Sequence, residues 1–242
     1  MFSREYVNVT PGRNKAYDEG LRNYMLKMYN LMAAGLVITG LAATMVLSFE
    51  PLMALMFDFT KGGLTGFGML ISFSPVFIAL YFFMGYGSLS VEKAQVLFWV
   101  YSLLTGMSLS SLGLIYTGES IARTFFITAS VFGAMSIYGY STKKDLTSFG
   151  SFLVMGVMGI ILASLANLFF QSAAVHFAVS ILGVLIFTGM IAWDTQRLKS
   201  YYYQVGGGEA GQKMAVMGAF TLYLDFINLF LYLLRFVGDR RG

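Results

Sequence analysis

The sequence predicts an all-α integral membrane protein with seven transmembrane helices. Of its residues, 57% are hydrophobic and 17% aromatic but only 12% charged, far from the balance of a water-soluble domain. Stretches free of Asp, Glu, Lys and Arg are long enough to cross a hydrocarbon core of roughly 30 Å, which takes about 20 residues of helix. These stretches are continuously apolar, whereas a membrane barrel would alternate every second residue.

Residues 1–27 form a polar arm, read as cytoplasmic. Pro11 and Gly12 predict a turn there, before an interfacial helix carrying Tyr17, Leu21, Tyr24 and Met28 at helical spacing. The arm is too long and polar for a cleavable signal, so the first helix is expected to persist in the mature protein. Residues 28–237 form the seven-helix domain. The charge-free runs 28–49, 62–91, 94–118 and 124–142 each supply one span, and 146–193 supplies two, with a turn expected at 171–174. The seventh, 214–237, is interrupted only by Asp225 and Arg235; a segment that dips in and returns is the alternative reading. Residues 238–242 are a short tail.

Several local signals refine this plan. KGGLTGFG (61–68) has the glycine content of a phosphate loop but neither a preceding strand nor the Gly-Lys-Ser/Thr ending, and reads as an external turn. Pro75 removes a backbone donor in the second span and predicts a kink. Small residues spaced by four, as in Gly35, Thr39 and Ala43 or in Gly159 and Ala163, predict close helix packing in lipid. GGGEAGQ (206–212) reads as a flexible connector.

Function classes narrow by elimination. No cysteine is present, which removes disulfides and thiolate metal sites, and a single histidine leaves no conventional zinc centre. The net charge of +4 needs no nucleic acid, because Lys and Arg gather on the cytoplasmic side of membrane proteins. With the N-terminus inside, the inner segments hold Arg4, Arg13, Lys15, Arg22, Lys27, Lys93, Lys143, Lys144, Arg197, Lys199 and Lys213. The outer segments hold Lys61 and Arg123, and the exceptions Arg235, Arg240 and Arg241. A bacterial inner membrane with a cytoplasmic N-terminus is the expected location.

Asp194 and Asp225 are the acids within or bordering the spans, the others falling in arms, loops or tail. A carboxylate at membrane depth costs about 2.5 to 3.5 kcal/mol on insertion scales and calls for a partner or a water-filled cavity. In the seventh span Gly218, Thr221, Asp225, Asn228, Tyr232 and Arg235 follow steps of three and four and share one face. In the sixth, Asp194 shares a face with Phe187, Gly183, Ser180 and His176. Each Asp also has a structural reading: Asp194 as a helix-end group in interfacial water three residues before Arg197, Asp225 as a hydrogen-bonded core residue. Counting places Asp225 near mid-bilayer and Asp194 near the inner surface. They meet only if the sixth helix runs past Leu198 or the seventh starts within the membrane. If they meet, two carboxylates in a low-dielectric site share one proton, which makes a switch, and their oxygens suit a hard cation such as Ca²⁺.

LYLDFINLFLYLLR (222–235), WDTQ (193–196) and KKDL (143–146) together resemble the Bax inhibitor-1, or transmembrane Bax inhibitor motif, family over roughly residues 25–235. The resemblance implies a seventh helix wrapped by the others, a pH-sensitive calcium leak, and a proton-sensing pair that maps onto Asp194 and Asp225. The chain departs from the pattern at the inner end of the second span, MGYGSLS (84–90), which carries no Lys or Arg where some members have a basic residue. It has Ser72 and Ser74 where some have an acid.

The leading expectation is a proton-gated calcium-permeable leak, with Asp194 and Asp225 as sensor and cation-binding residues, Asn228 and Thr221 supporting them, Ca²⁺ as permeant ion and no cofactor. The alternative is a non-conducting regulator that binds other membrane proteins, such as a membrane protease or cell-death factors. No enzymatic activity is expected. An intramembrane aspartyl protease would also use two membrane aspartates as acid and base, but Tyr223 and Leu224 stand where that class has Gly-x-Gly before Asp, and no Pro-Ala-Leu follows.

Overall fold

The structure is a computed structural model that describes residues 11–241. The first ten residues of the polar arm, the side chains of residues 11–18, Tyr17 among them, and Gly242 lie outside the described residues. The helices are α1 Pro11–Ser48, α2 Glu50–Met56, α3 Gly66–Gly85, α4 Val91–Leu109, α5 Leu112–Ile115, α6 Gly118–Ser141, α7 Thr147–Phe170, α8 Ala173–Val205 and α9 Gly208–Val237. Seven segments are long and apolar enough to cross a membrane: Glu19–Ser48, Gly66–Ser88, Val91–Ile115, Gly118–Ser141, Thr147–Phe170, Ala173–Val205 and Gly208–Val237. The chain is an all-α integral membrane protein. One end of the bundle carries the links at 86–90, 142–146 and 206–207, here the Lys143 end. The other carries the links at 49–65, 110–117 and 171–172 with residues 238–241, here the tail end.

Several expectations change. Pro11 and Gly12 open α1 instead of forming a turn; proline suits a first helical position because the N–H it lacks would have no partner there. The helix they start runs unbroken past residue 27, and Leu21, Tyr24 and Met28 are buried in the main core, not laid on an interface. The external turn contains a two-stranded hairpin, β1 Phe57–Asp58 paired antiparallel with β2 Gly63–Leu64. Asp58 accepts the backbone N–H of Thr60 and of Lys61 to close it. The α9 helix is continuous for 30 residues, about 45 Å at 1.5 Å per residue, so it crosses rather than dips and returns.

Two other breaks have local chemical causes. The α7–α8 turn falls at Gln171, in the left-handed region at φ 49°, and Asn167 braces it by accepting the Ser172 N–H and donating to the Ser172 carbonyl. In α3, Pro75 cannot donate to the Ile71 carbonyl one turn earlier. The Ser74 hydroxyl donates to that carbonyl at 2.8 Å and satisfies it.

Burial separates α9 from the rest. Of its most apolar window 61% is buried, against 11% for α7 and 39% for the α4–α5 span. It packs against α1, α4, α6 and α8. Aromatic rings fill the space between α3, α4 and α9: Phe82 stacks on Phe220 at 4.4 Å, and Phe98 and Tyr101 close around Phe220 and Tyr223. Such pairs add about 0.5–1.5 kcal/mol each beyond the area they bury. Close backbone approach does the same work for α8. A Cβ at Gly139 would strike the Ala192 backbone, and one at Gly150 would strike the Trp193 ring.

Candidate functional site

The sixth helix does run past Leu198, to Val205, and this extension removes the depth mismatch between the two aspartates. Helices α8 and α9 pack antiparallel after the short link at 206–207. Phe187 stacks on Tyr232 with ring centroids 5.7 Å apart. Moving about two helical turns along each helix from that contact, towards the Lys143 end, arrives at Asp194 and Asp225. Their carboxyls are neighbours that interact directly, and both are buried, at 0% and 3% exposure. Gly183 makes the approach possible, because a Cβ there would overlap the Tyr232 ring. Gly218, one face-step from Thr221, likewise leaves room for Met28 and Leu198.

Among the described residues the pair has one close cation. Arg197 Nη2 lies 2.6 Å from Asp194 Oδ1, off the line of its N–H bonds, so the contact is an ion pair without hydrogen-bond alignment. No hydroxyl or backbone N–H among the described residues donates to either Asp194 oxygen or to Asp225 Oδ2. Uncompensated buried carboxylates are costly, and Arg197 is the close cation that offsets Asp194 among the described residues. The Arg197 guanidinium sits 4.4 Å from the Trp193 ring centroid and 5.9 Å from that of Tyr201, and a third of its side chain is exposed.

That exposure opens on a cavity of about 600 Å³ at the Lys143 end, lined by Lys143, Lys144, Asp145, Gln196, Arg197 and Lys199 among others. Gln196 fixes its wall: its Oε1 accepts the Leu146 N–H at 2.8 Å and its Nε2 donates to the Lys144 carbonyl at 2.7 Å. The WDTQ and KKDL segments, far apart in the chain, are thus one structural unit. Asp145, outside the spans, is held below the usual carboxylate range by the hydroxyl and backbone N–H of Thr147.

The other residues singled out from the sequence make contacts of their own or differ in exposure. Asn228 donates to the Leu224 carbonyl of its own helix at 2.8 Å. Thr221 is half-buried one turn before Asp225. His176 is exposed at the tail end. No group of three or more His, Asp or Glu gathers as a metal site among the described residues.

Sequence reasoning missed Arg197 as a partner inside the bundle, although the i, i+3 spacing from Asp194 announced it. It also missed Thr39 and Tyr223, whose hydroxyls lie 2.6 Å apart across α1 and α9, with Thr39 close to the Ser102 carbonyl. Nothing in the local sequence marks that contact, since it spans 184 positions.

The family whose description is "Inhibitor of apoptosis-promoting Bax1" matches residues 21–242. The chain belongs to the Bax inhibitor-1 family. A Rickettsia prowazekii protein is 62% identical over 232 residues, covering 96% of each chain. A Caulobacter vibrioides protein is 46% identical over 246 residues, covering 99% of this chain and 98% of the other. The inner membrane protein YbhL of Escherichia coli is 43% identical over 224 residues, covering 92% of this chain and 94% of YbhL. For a Bax inhibitor-1 protein without a basic residue at the end of α3, Arg197 on α8 is the cation that meets the acidic pair.

Proposed function

We propose that this protein is a pH-sensitive, calcium-permeable leak of a bacterial inner membrane, with the N-terminus and the Lys143 end cytoplasmic and Asp194 and Asp225 as its proton switch. One observation carries the reading: two neighbouring carboxylates, both buried, with one close guanidinium among the described residues. With one proton the cluster is neutral. Asp194, facing Arg197, holds the charge, and Asp225 holds the proton and donates it to Asp194. This is the packed, closed state.

Magnitudes decide which proton change opens it. Adding a second proton frees Arg197, which already reaches water through the cavity beside it, so the cost is small. Removing the one proton leaves an unmatched buried anion, and uncompensated buried charge costs about 3–5 kcal/mol. That charge drives α8 and α9 apart and draws water in from the Lys143 end. The same step frees carboxylate oxygens for a hard cation, provided Arg197 swings off Asp194, since both cations need the same oxygens.

Calcium-loaded liposomes containing the protein test the reading across pH 6 to 8. Flux is expected to rise with pH in the wild type and to stay low and independent of pH in Asp225→Asn, whose amide leaves Asp194 matched by Arg197 and the cluster neutral. Flux through the wild type no greater than through empty liposomes at every pH would reject the leak and favour a regulator that binds other membrane proteins.

A further inference from the structure

Arg235 and Arg240 run against the charge bias that orients the chain, and the switch does not use them. Both line a cavity of about 560 Å³ at the tail end, between the last turn of α9, the α7–α8 turn and the segment around Tyr116. The dipole of α9 accounts for one cation in its last turn. It does not account for a second guanidinium delivered by the tail.

The tail is held in place to deliver it. Arg240 pairs antiparallel with Tyr116, the Thr117 N–H donates to the Asp239 carbonyl at 3.1 Å, and the Arg241 N–H donates to the Ile115 carbonyl at 2.9 Å. Asp239, the acid next to Arg240, is occupied elsewhere: its carboxylate pairs with Arg123 at 2.7 Å and its N–H donates to Ser120. Among the described residues no carboxylate lies within 4.0 Å of Arg235 or Arg240. Arg235 leans on the Tyr232 ring at 5.5 Å. Arg241 belongs to a different, apolar groove.

We propose that this cavity binds a phosphate group, supplied by the headgroup of an anionic phospholipid. Two guanidiniums suit phosphate oxygens, which they can engage in paired hydrogen bonds. His176 and Gln171 add polar groups to the same wall, and Leu168, Leu231 and Leu234 provide an apolar floor for the first methylenes of a lipid tail. The cavity lies at the ends of the spans, the depth at which the phosphate headgroups flank the hydrocarbon core.

The test uses the full chain in phosphatidylcholine nanodiscs doped with phosphatidylglycerol, with lipid retained on the released protein counted by native mass spectrometry. Wild type is expected to retain phosphatidylglycerol over phosphatidylcholine, and the Arg235→Gln/Arg240→Gln pair to lower that preference about tenfold. Arg240→Gln alone, on an exposed tail residue, is expected to fold normally and to lower it several-fold, about the worth of one charged hydrogen bond. Equal retention by wild type and Arg240→Gln would overturn the site. Inorganic phosphate stabilising wild type against heat, with phosphatidylglycerol giving no preference, would keep the arginines as the binding groups and overturn the lipid as the source.

Discussion

The Lys143 end and the tail end both present arginine near membrane-spanning carboxylates or cavities, yet they treat its charge in opposite ways. At the Lys143 end Arg197 is spent internally, 2.6 Å from a fully buried Asp194. At the tail end Arg235 and Arg240 face a cavity, and the nearby acid, Asp239, is tied to Arg123. A charge buried inside a bundle is costly unless a partner offsets it, as Arg197 does for Asp194. Charge at the rim can be left open for something that arrives from solution or the bilayer. The difference teaches that an arginine in this fold reports on its depth: beside a buried acid it is committed to that acid, and at the rim it stays open to a cavity.

Breaking the inner pairing should have the largest effect. Arg197→Gln leaves Asp194 without its counter-ion and is expected to lower stability by about 2–3 kcal/mol, the usual cost discounted for the guanidinium's partial exposure. Thermal unfolding in detergent measures it. The same Gln substitution at Arg235 is expected to stay within about 0.5 kcal/mol, and equal losses at the two ends would erase the contrast. A smaller effect comes from the geometry that brings the acids together. Gly183→Ala forces the Tyr232 ring aside and is expected to cost about 1–3 kcal/mol as overpacking. Under the proposed switch it also shifts the pH dependence of calcium flux in liposomes, which overpacking elsewhere would not do.

The smallest effect sharpens the comparison within the Lys143 end. Asp145 is exposed and its folded-state pKa is depressed by Thr147. Its contribution is therefore present above its unfolded pKa, about 3.9, and is lost as pH falls through the lower folded value. Asp145→Asn is expected to remove a slight loss of thermal stability in that acid window while leaving behaviour above about pH 5 unchanged. A change near neutral pH would mean that Asp145 takes part in the switch.

Much of this was legible in advance. The seven spans follow from charge-free runs, and the shared faces of Asp194 with Gly183 and of Asp225 with Gly218 follow from helical spacing. Residue 171 as a break was visible because a 48-position apolar run cannot be one span; the run is residues 146–193. Other features were not legible. The arm read as surface helix turns its apolar side into the core, since Leu21, Tyr24 and Met28 meet α9 and its neighbours only once the bundle closes. Gln196 joining the KKDL segment and Thr39 meeting Tyr223 are contacts across long stretches of chain, and periodicity carries no information about which face meets which.

Composition and hydrophobic pattern are enough to say that the chain lives in a membrane, crosses it as helices, and hides two acids there, because the cost of exposing backbone or burying charge in hydrocarbon leaves few other arrangements. They do not say that the acids touch, that Arg197 serves Asp194, or that the tail carries Arg240 to a cavity beside Arg235. Those outcomes depend on how far α8 extends, where glycines let helices close, and how the tail pairs with the Tyr116 segment. Each is decided by packing between parts of the chain that no local stretch of sequence describes.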